Sequence, residues 1–171
     1  MLQREVDLIL AALTPQNRLV MRVALHTGLR VSDVLQLRTA QLQPHFWVTE
    51  RKTGKRRQVG LPEPLLSDLK KAAGEVWAFE GRSQEKHRTR QAVWKDVKRA
   101  ARAFRLKANI APHSARKNYA AELMAKYGEI EKVRRALNHR SETVTLIYAL
   151  ADQQRQAKDR RRANRRGGKR S

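Results

Sequence analysis

The chain has 171 residues with 38 Lys or Arg against 16 Asp or Glu, a formal net charge of +22. That length suits one compact domain, and so large a cationic excess points to a polyanionic partner, with nucleic acid ahead of an anionic membrane. The lack of cysteine excludes a disulfide frame, a thiolate nucleophile and a cysteine zinc site, and an aromatic content of 5% argues against recognition by base stacking. No apolar run approaches the ~20 residues of a membrane span, and the N-terminus has acids and no small-residue cleavage site, so a soluble, cytoplasmic protein is expected.

Residues 2–13 put Val6, Ile9, Leu10 and Leu13 on one face and predict an amphipathic helix. Thr14 and Pro15 read as an N-cap hydroxyl followed by proline at the first helical position, opening a second helix that Gly28 stops. Ser32 is a plausible cap for a short third helix, 33–38, with Val34, Leu35 and Leu37 turned inward. Arg30 then falls at a helix junction with Asp33 one turn away and able to orient it. From Phe46 the period changes to two. Phe46 and Val48, then Val59 and Leu61, flank RKTGKRRQ and predict a β-hairpin with Gly54 at its tip. Lys52 would stand near the end of the first strand, and Lys55, Arg56 and Arg57 would line the turn and its return as contacts to a phosphate backbone.

Pro62 and Pro64 open a helix to about Ala73 with Leu65, Leu66 and Leu69 buried, and residues 81–88 read as an exposed basic loop. Thr89 caps a helix to Phe104 whose stripe of Val93, Trp94, Val97, Ala101 and Phe104 is expected in the core. Lys95, Lys98, Arg99 and Arg102 lie opposite, a face that suits either solvent or a DNA backbone. Pro112 begins a helix to about Lys126, with Ala120, Leu123 and Met124 inward. A helix from Ile130 to about Leu137 follows, and then one capped by Ser141 that contains Tyr148.

Residues 112–150 bring His113, Arg116, His139 and Tyr148 together in order. A tyrosine hydroxyl can attack a phosphodiester if cations hold the phosphoryl oxygens and a base takes its proton, and arginine binds phosphate bidentately while staying charged. His113 and Arg116, three apart at a helix N-terminus, share a face where the amides and the dipole also favour phosphate. Taken singly, the two histidines suit capping or core roles, and Tyr148 between Ile147 and Leu150 suits the core. A lysine on a rigid strand, such as Lys52, can protonate a leaving alkoxide.

The segments TGLRVSDVLQLR (27–38), RKTGKRRQVGLP (51–62), HSAR (113–116) and LNHRS to LIYAL (137–150) resemble, in order and spacing, the boxes of the tyrosine recombinase or phage integrase catalytic domain. The resemblance implies a mainly α fold with a small antiparallel β-sheet, and DNA cleavage and rejoining through a 3′-phosphotyrosyl intermediate without cofactor, metal or ATP. It also implies double-stranded DNA as partner, self-association on that DNA, no membrane or small-molecule substrate, and a bacterial or phage origin. By position, Tyr148 would be the nucleophile, Arg30 and Arg116 the phosphate clamp, His139 a second phosphate donor, His113 the proton acceptor and Lys52 the general acid, with Lys55 a weaker candidate in the same turn. Asp33 would support Arg30. Lys117, Asn118 and Asn138 stand where histidine, threonine and glycine are common.

The expected organisation is a catalytic domain over 1–152 and a basic tail over 153–171. The helical core-binding domain usual before the catalytic one is expected to be absent, and weak, salt-sensitive DNA binding is expected with it. Two other readings use the same residues: a type IB topoisomerase, and a non-catalytic DNA-binding or regulatory module.

Overall fold

The computed structural model describes residues 3–106 and 110–137. His139, Tyr148, the Ser141-capped helix and the tail over 153–171 lie outside the described residues. Two compact units emerge, Gln3–Tyr119 and Ala120–Ser171, the second described as far as Leu137.

The first unit begins with α1 (Gln3–Ala12), which buries Val6 and Ile9 as the sequence periodicity predicts, with Leu13 buried just beyond its end. In α2 (Pro15–Thr27) proline occupies the first turn, and Gly28 ends the helix in the left-handed region at φ 64°, returning its N–H to Ala24 O at 2.9 Å. Thr14 does not cap α2 as expected. Its hydroxyl and its N–H both donate to Asp96 Oδ2, each at 2.9 Å. The short helix α3 (Val31–Leu35) starts earlier than Ser32 suggested, with Arg30 in extended backbone at its N-cap position and its carbonyl accepting from the N–H groups of Asp33 and Val34.

Strands β1 (His45–Thr49) and β2 (Arg56–Gly60) pair antiparallel, with Phe46 opposite Val59, Val48 opposite Arg57 and Thr49 opposite Arg56. Alternation puts Phe46, Val48 and Val59 into the core and leaves His45, Trp47 and Thr49 exposed. Helix α4 (Glu63–Ala72) buries Leu65, Leu66 and Leu69. The segment 74–88 is anchored by buried Ala78 and Phe79 and by short bridges, Arg38 to Trp77 and Glu80 to His87. Helix α5 (Arg90–Ala103) is capped by Thr89, whose hydroxyl accepts from Ala92 N at 3.1 Å. Its inward stripe is Val93, Val97, Ala100 and Ala101. Trp94 and Phe104, expected in the core, are 47% and 39% exposed. Trp94 sits ~100° around the helix from Val93, and Phe104 stands at the C-cap, where the chain leaves helical geometry.

Helix α6 (His113–Tyr127) starts in the first unit and runs into the second, ending at Gly128, whose N–H reaches Met124 O at 2.9 Å. In the second unit Ala120, Val133 and Leu137 are buried, Leu123 and Met124 are half-buried, and α7 (Ile130–Ala136) carries Glu131 paired with Arg134 and Arg135. The described fold is thus mainly helical with one two-stranded antiparallel sheet. No helix among the described residues is long and apolar enough to cross a membrane.

Candidate active site

Three arginines from three distant parts of the sequence meet inside the first unit. Arg30, delivered by the α2–α3 junction, places Nη1 2.5 Å from Glu50 Oε2 and 3.9 Å from Asp33 Oδ2. Arg57, on β2, donates from Nη2 to Thr27 O at 2.8 Å and sets Nε 3.4 Å from Glu50 Oε1. Arg116, one turn into α6, is 1% exposed; its Nη1 donates to Gly28 O at 2.8 Å and lies 3.8 Å from Glu50 Oε1.

Glu50 is the centre of this arrangement and is wholly buried. Taking a carboxylate out of water costs several kcal/mol unless cations and donors surround it, and here three guanidinium groups do. Sequence reasoning missed it, although a signal was present. Phe46, Val48 and Glu50 stand at alternate positions of one strand pattern, so the face that buries the first two also buries the third.

The same alternation corrects the expectation for Arg57. Expected with Lys55 and Arg56 on the DNA-facing turn, Arg57 instead pairs with Val48 and stands two before Val59, so it turns inward to Glu50. Lys55 and Arg56 are exposed, and Arg56 lies over the Trp47 ring at 5.4 Å. Asp33 stands in ion-pair range of Arg30, one turn away as expected, though less closely than Glu50. Its Oδ1 accepts from Arg51 N at 3.1 Å, fastening α3 to the start of the hairpin turn, while Glu50 makes the close ion pair. Burial raises the Asp33 pKa, the nearby Glu50 charge adding to the effect.

Burial, followed by repulsion from Arg30, pulls the Arg116 guanidinium down to about 10, which leaves it charged at neutral pH. Among the described residues, three guanidinium groups gather around two carboxylates, Glu50 and Asp33. Guanidinium groups outnumber carboxylates there, an arrangement that suits an anion such as a phosphodiester.

His113 is the first residue of α6. The residue is exposed overall, yet partial desolvation of its ring, followed by the charges of Lys117, Arg116, Arg30 and Lys52, lowers its pKa. A neutral imidazole at pH 7 can accept a proton. Lys52 stands exposed on the hairpin turn, close enough for its charge to be felt at that ring. Beside Arg30 and His113 a cleft of ≈ 460 Å³ opens, with Ser32, Arg90 and the exposed Trp94 on its walls. Nothing in the helical periodicity marked Trp94 as a cleft residue. Among the remaining basic candidates on α5, Lys95 is exposed, while Arg99 is tied to Asp96 Oδ1 at 2.6 Å and to Ala12 O.

The model of the phage integrase family matches residues 1–155. A tyrosine recombinase of Thermosipho africanus (strain TCF52B) is 30% identical over 162 residues, covering 88% of this chain and 56% of that protein. Among solved structures, the XerH site-specific recombinase bound to palindromic difH substrate in a post-cleavage complex superposes with a TM-score of 0.73 at 22% identity, over 93% of this chain and 51% of that one. A lambda integrase dimer bound to a COC′ core site gives a TM-score of 0.73 at 20% identity, over 86% of this chain and 46% of that one. The chain therefore spans about half the length of the relatives it matches. The structural likeness bears on the fold alone, whereas the family model covers nearly the whole sequence, and on that ground this chain belongs to the phage integrase family.

Proposed function

We propose that this chain cuts and rejoins duplex DNA as the catalytic domain of a site-specific recombinase, through a covalent phosphotyrosine. The observation that carries the reading is the convergence of Arg30 and Arg116 on one buried carboxylate, where guanidinium groups outnumber carboxylates among the described residues, beside His113, whose pKa partial burial and neighbouring cations lower. In the first step Tyr148 Oη forms a bond to the scissile phosphorus and the bond from phosphorus to the 5′-oxygen breaks. The tyrosine proton passes to His113, and Lys52 protonates the departing 5′-oxygen. Arg30 and Arg116, with His139, hold the non-bridging oxygens, where charge gathers as the fifth bond forms. Attack by a 5′-hydroxyl on the phosphotyrosine reverses the step and rejoins the strand. Asp33 supports the first arginine from 3.9 Å and, through its bond from Arg51 N, fastens α3 to the start of the hairpin turn.

Support for the partner comes from the net charge and from relatives whose structures hold their DNA sites, one of them as a dimer. Lys55, Arg56, Lys95 and the wall of the cleft at Trp94 are the surfaces proposed to meet the duplex, and self-association on DNA follows the same relatives. The test is incubation with a nicked suicide substrate in EDTA. A covalent protein–DNA adduct is expected, and Tyr148→Phe should abolish it. If the wild-type chain forms no adduct with its own recombination site, the reading fails and a DNA-binding module is left. An adduct accompanied by relaxation of supercoils, without strand exchange, would move the assignment to a type IB topoisomerase.

A further inference from the structure

We infer that Glu50 is a positioning residue that ties the arginine clamp to the turn carrying Lys52, with Arg57 as the arm that holds it in place. The inference rests on the recombinase reading. Glu50 acts at both ends of its own residue. Its backbone organises the turn: its N–H donates to Lys55 O at 2.9 Å, and its carbonyl accepts from Gly54 N at 2.8 Å and from Thr53 N at 3.2 Å. Its carboxylate faces the other way, with Oε2 on Arg30 and also accepting from the Thr53 hydroxyl at 3.3 Å. Oε1 stands between Arg57 and Arg116 at 3.4 and 3.8 Å, ion-pair rather than hydrogen-bond distances.

One residue therefore sets where the two clamp arginines sit and where the proposed general acid sits, two positions further along the chain. A displacement of ~1 Å at a reacting centre can cost about a hundredfold in rate, so a shared anchor matters more than its own contact energy. Arg57 fits the same account. Its donation to Thr27 O fastens β2 to the end of α2, immediately before Gly28, and Gly28 O is the acceptor that holds Arg116. Glu50 also supplies the opposing charge that lets Arg30, Arg57 and Arg116 share one buried site. Among the described residues, Asp33 on α3 is the other carboxylate facing them.

The experiment compares wild type with Glu50→Gln and Glu50→Asp on the nicked substrate in EDTA, reading duplex affinity, single-turnover adduct rate and its pH profile, with thermal melts to confirm folding. Glu50→Gln keeps shape and removes charge. Its duplex affinity should stay within about threefold of wild type while the adduct rate falls about a hundredfold, a split between binding and chemistry. Its alkaline limb should move to lower pH, because Glu50 opposes the fall in the Arg116 pKa; a purely structural role would not move that limb. Glu50→Asp keeps the charge on a shorter arm and should recover part of the rate. If folded Glu50→Gln cleaves within about threefold of wild type, or if both variants fail to fold, Glu50 is a structural residue only and the inference falls. Lack of adduct from wild type would instead remove the recombinase reading, and this one with it.

Discussion

Arg116 keeps its charge where water scarcely reaches, because the Gly28 carbonyl and the Glu50 carboxylate face it from two sides. Its value lies in a planar fork held at a fixed angle, which a flexible ammonium does not reproduce. Arg116→Ala should therefore lower the adduct rate by about 10² to 10³, the usual loss for one donor to a developing oxyanion, and Arg116→Lys should recover little; time courses of adduct formation measure both. His113 makes a prediction of opposite kind, about pH. Its pKa lies below the ordinary 6.5, so the ring takes up a proton only as the pH falls beneath that value. Since kcat/KM reports the free enzyme, its acid limb should lie under the ordinary histidine value, and His113→Gln should remove it. A limb above that value would contradict the assignment of His113 as proton acceptor. Gly28 matters for its backbone. At φ +64°, and with a Cβ built there 2.2 Å from Tyr119 Cδ1, Gly28→Ala is both strained and obstructed. A loss of about 2 kcal/mol or more is expected in thermal melts, and the adduct rate should fall as well because the acceptor for Arg116 shifts.

Helix α5 is joined to the start of α2 by a single carboxylate. Asp96 Oδ2 accepts from Thr14 N, Thr14 Oγ1 and Asn17 Nδ2, and Oδ1 takes Arg99. Burial would raise its pKa, but the hydrogen bonds from Asn17, Thr14 and Arg99 outweigh burial and hold it at about 2. The sign follows: the bound form is the ionised one, so this stabilisation is complete above the ordinary value of 3.8 and is lost as the pH falls through about 2. Asp96→Asn should flatten the decline of Tm over that interval, and at neutral pH Asp96→Ala should cost about 2–3 kcal/mol through donors left without an acceptor. The sequence displayed the elements on either side of this joint but not the joint. The apolar stripes of α1, α2 and α4 and the alternation of the hairpin are local, and they could be read residue by residue. Asp96 could not, because Thr14 and Asn17 stand about 80 residues away and Thr14 looked like an ordinary helix cap. The catalytic boxes were legible as a resemblance, whereas Glu50 and the inward turn of Arg57 needed the strand register to be carried one step past the last apolar residue. Trp94 was misassigned because one residue of drift around a helix moves a side chain from core to cleft.

A net charge of +22 makes the whole chain an attractive surface for a polyanion, so charge alone does not say which cations touch DNA. The structure separates two on one helix. Lys95 is exposed, whereas Arg99 is engaged by Asp96 and the Ala12 carbonyl. Each phosphate neutralised by a bound cation releases counterions, which steepens the dependence of log K on log salt by about 0.9. If Lys95 meets the backbone, Lys95→Gln should weaken binding for any duplex sequence and make the slope shallower by about 1, while leaving Tm unchanged. Arg99→Gln should behave in the opposite way. Its guanidinium remains more than half exposed, so the ion pair itself contributes less than about 1 kcal/mol, yet removing it loosens Asp96 and should lower Tm with little change in slope. Titrations of a fluorescent duplex at several salt concentrations, set beside thermal melts of the same two variants, separate the cases. An equal change of slope for both would mean that Arg99 leaves Asp96 when DNA binds, and that the duplex reaches across α5 as far as α1.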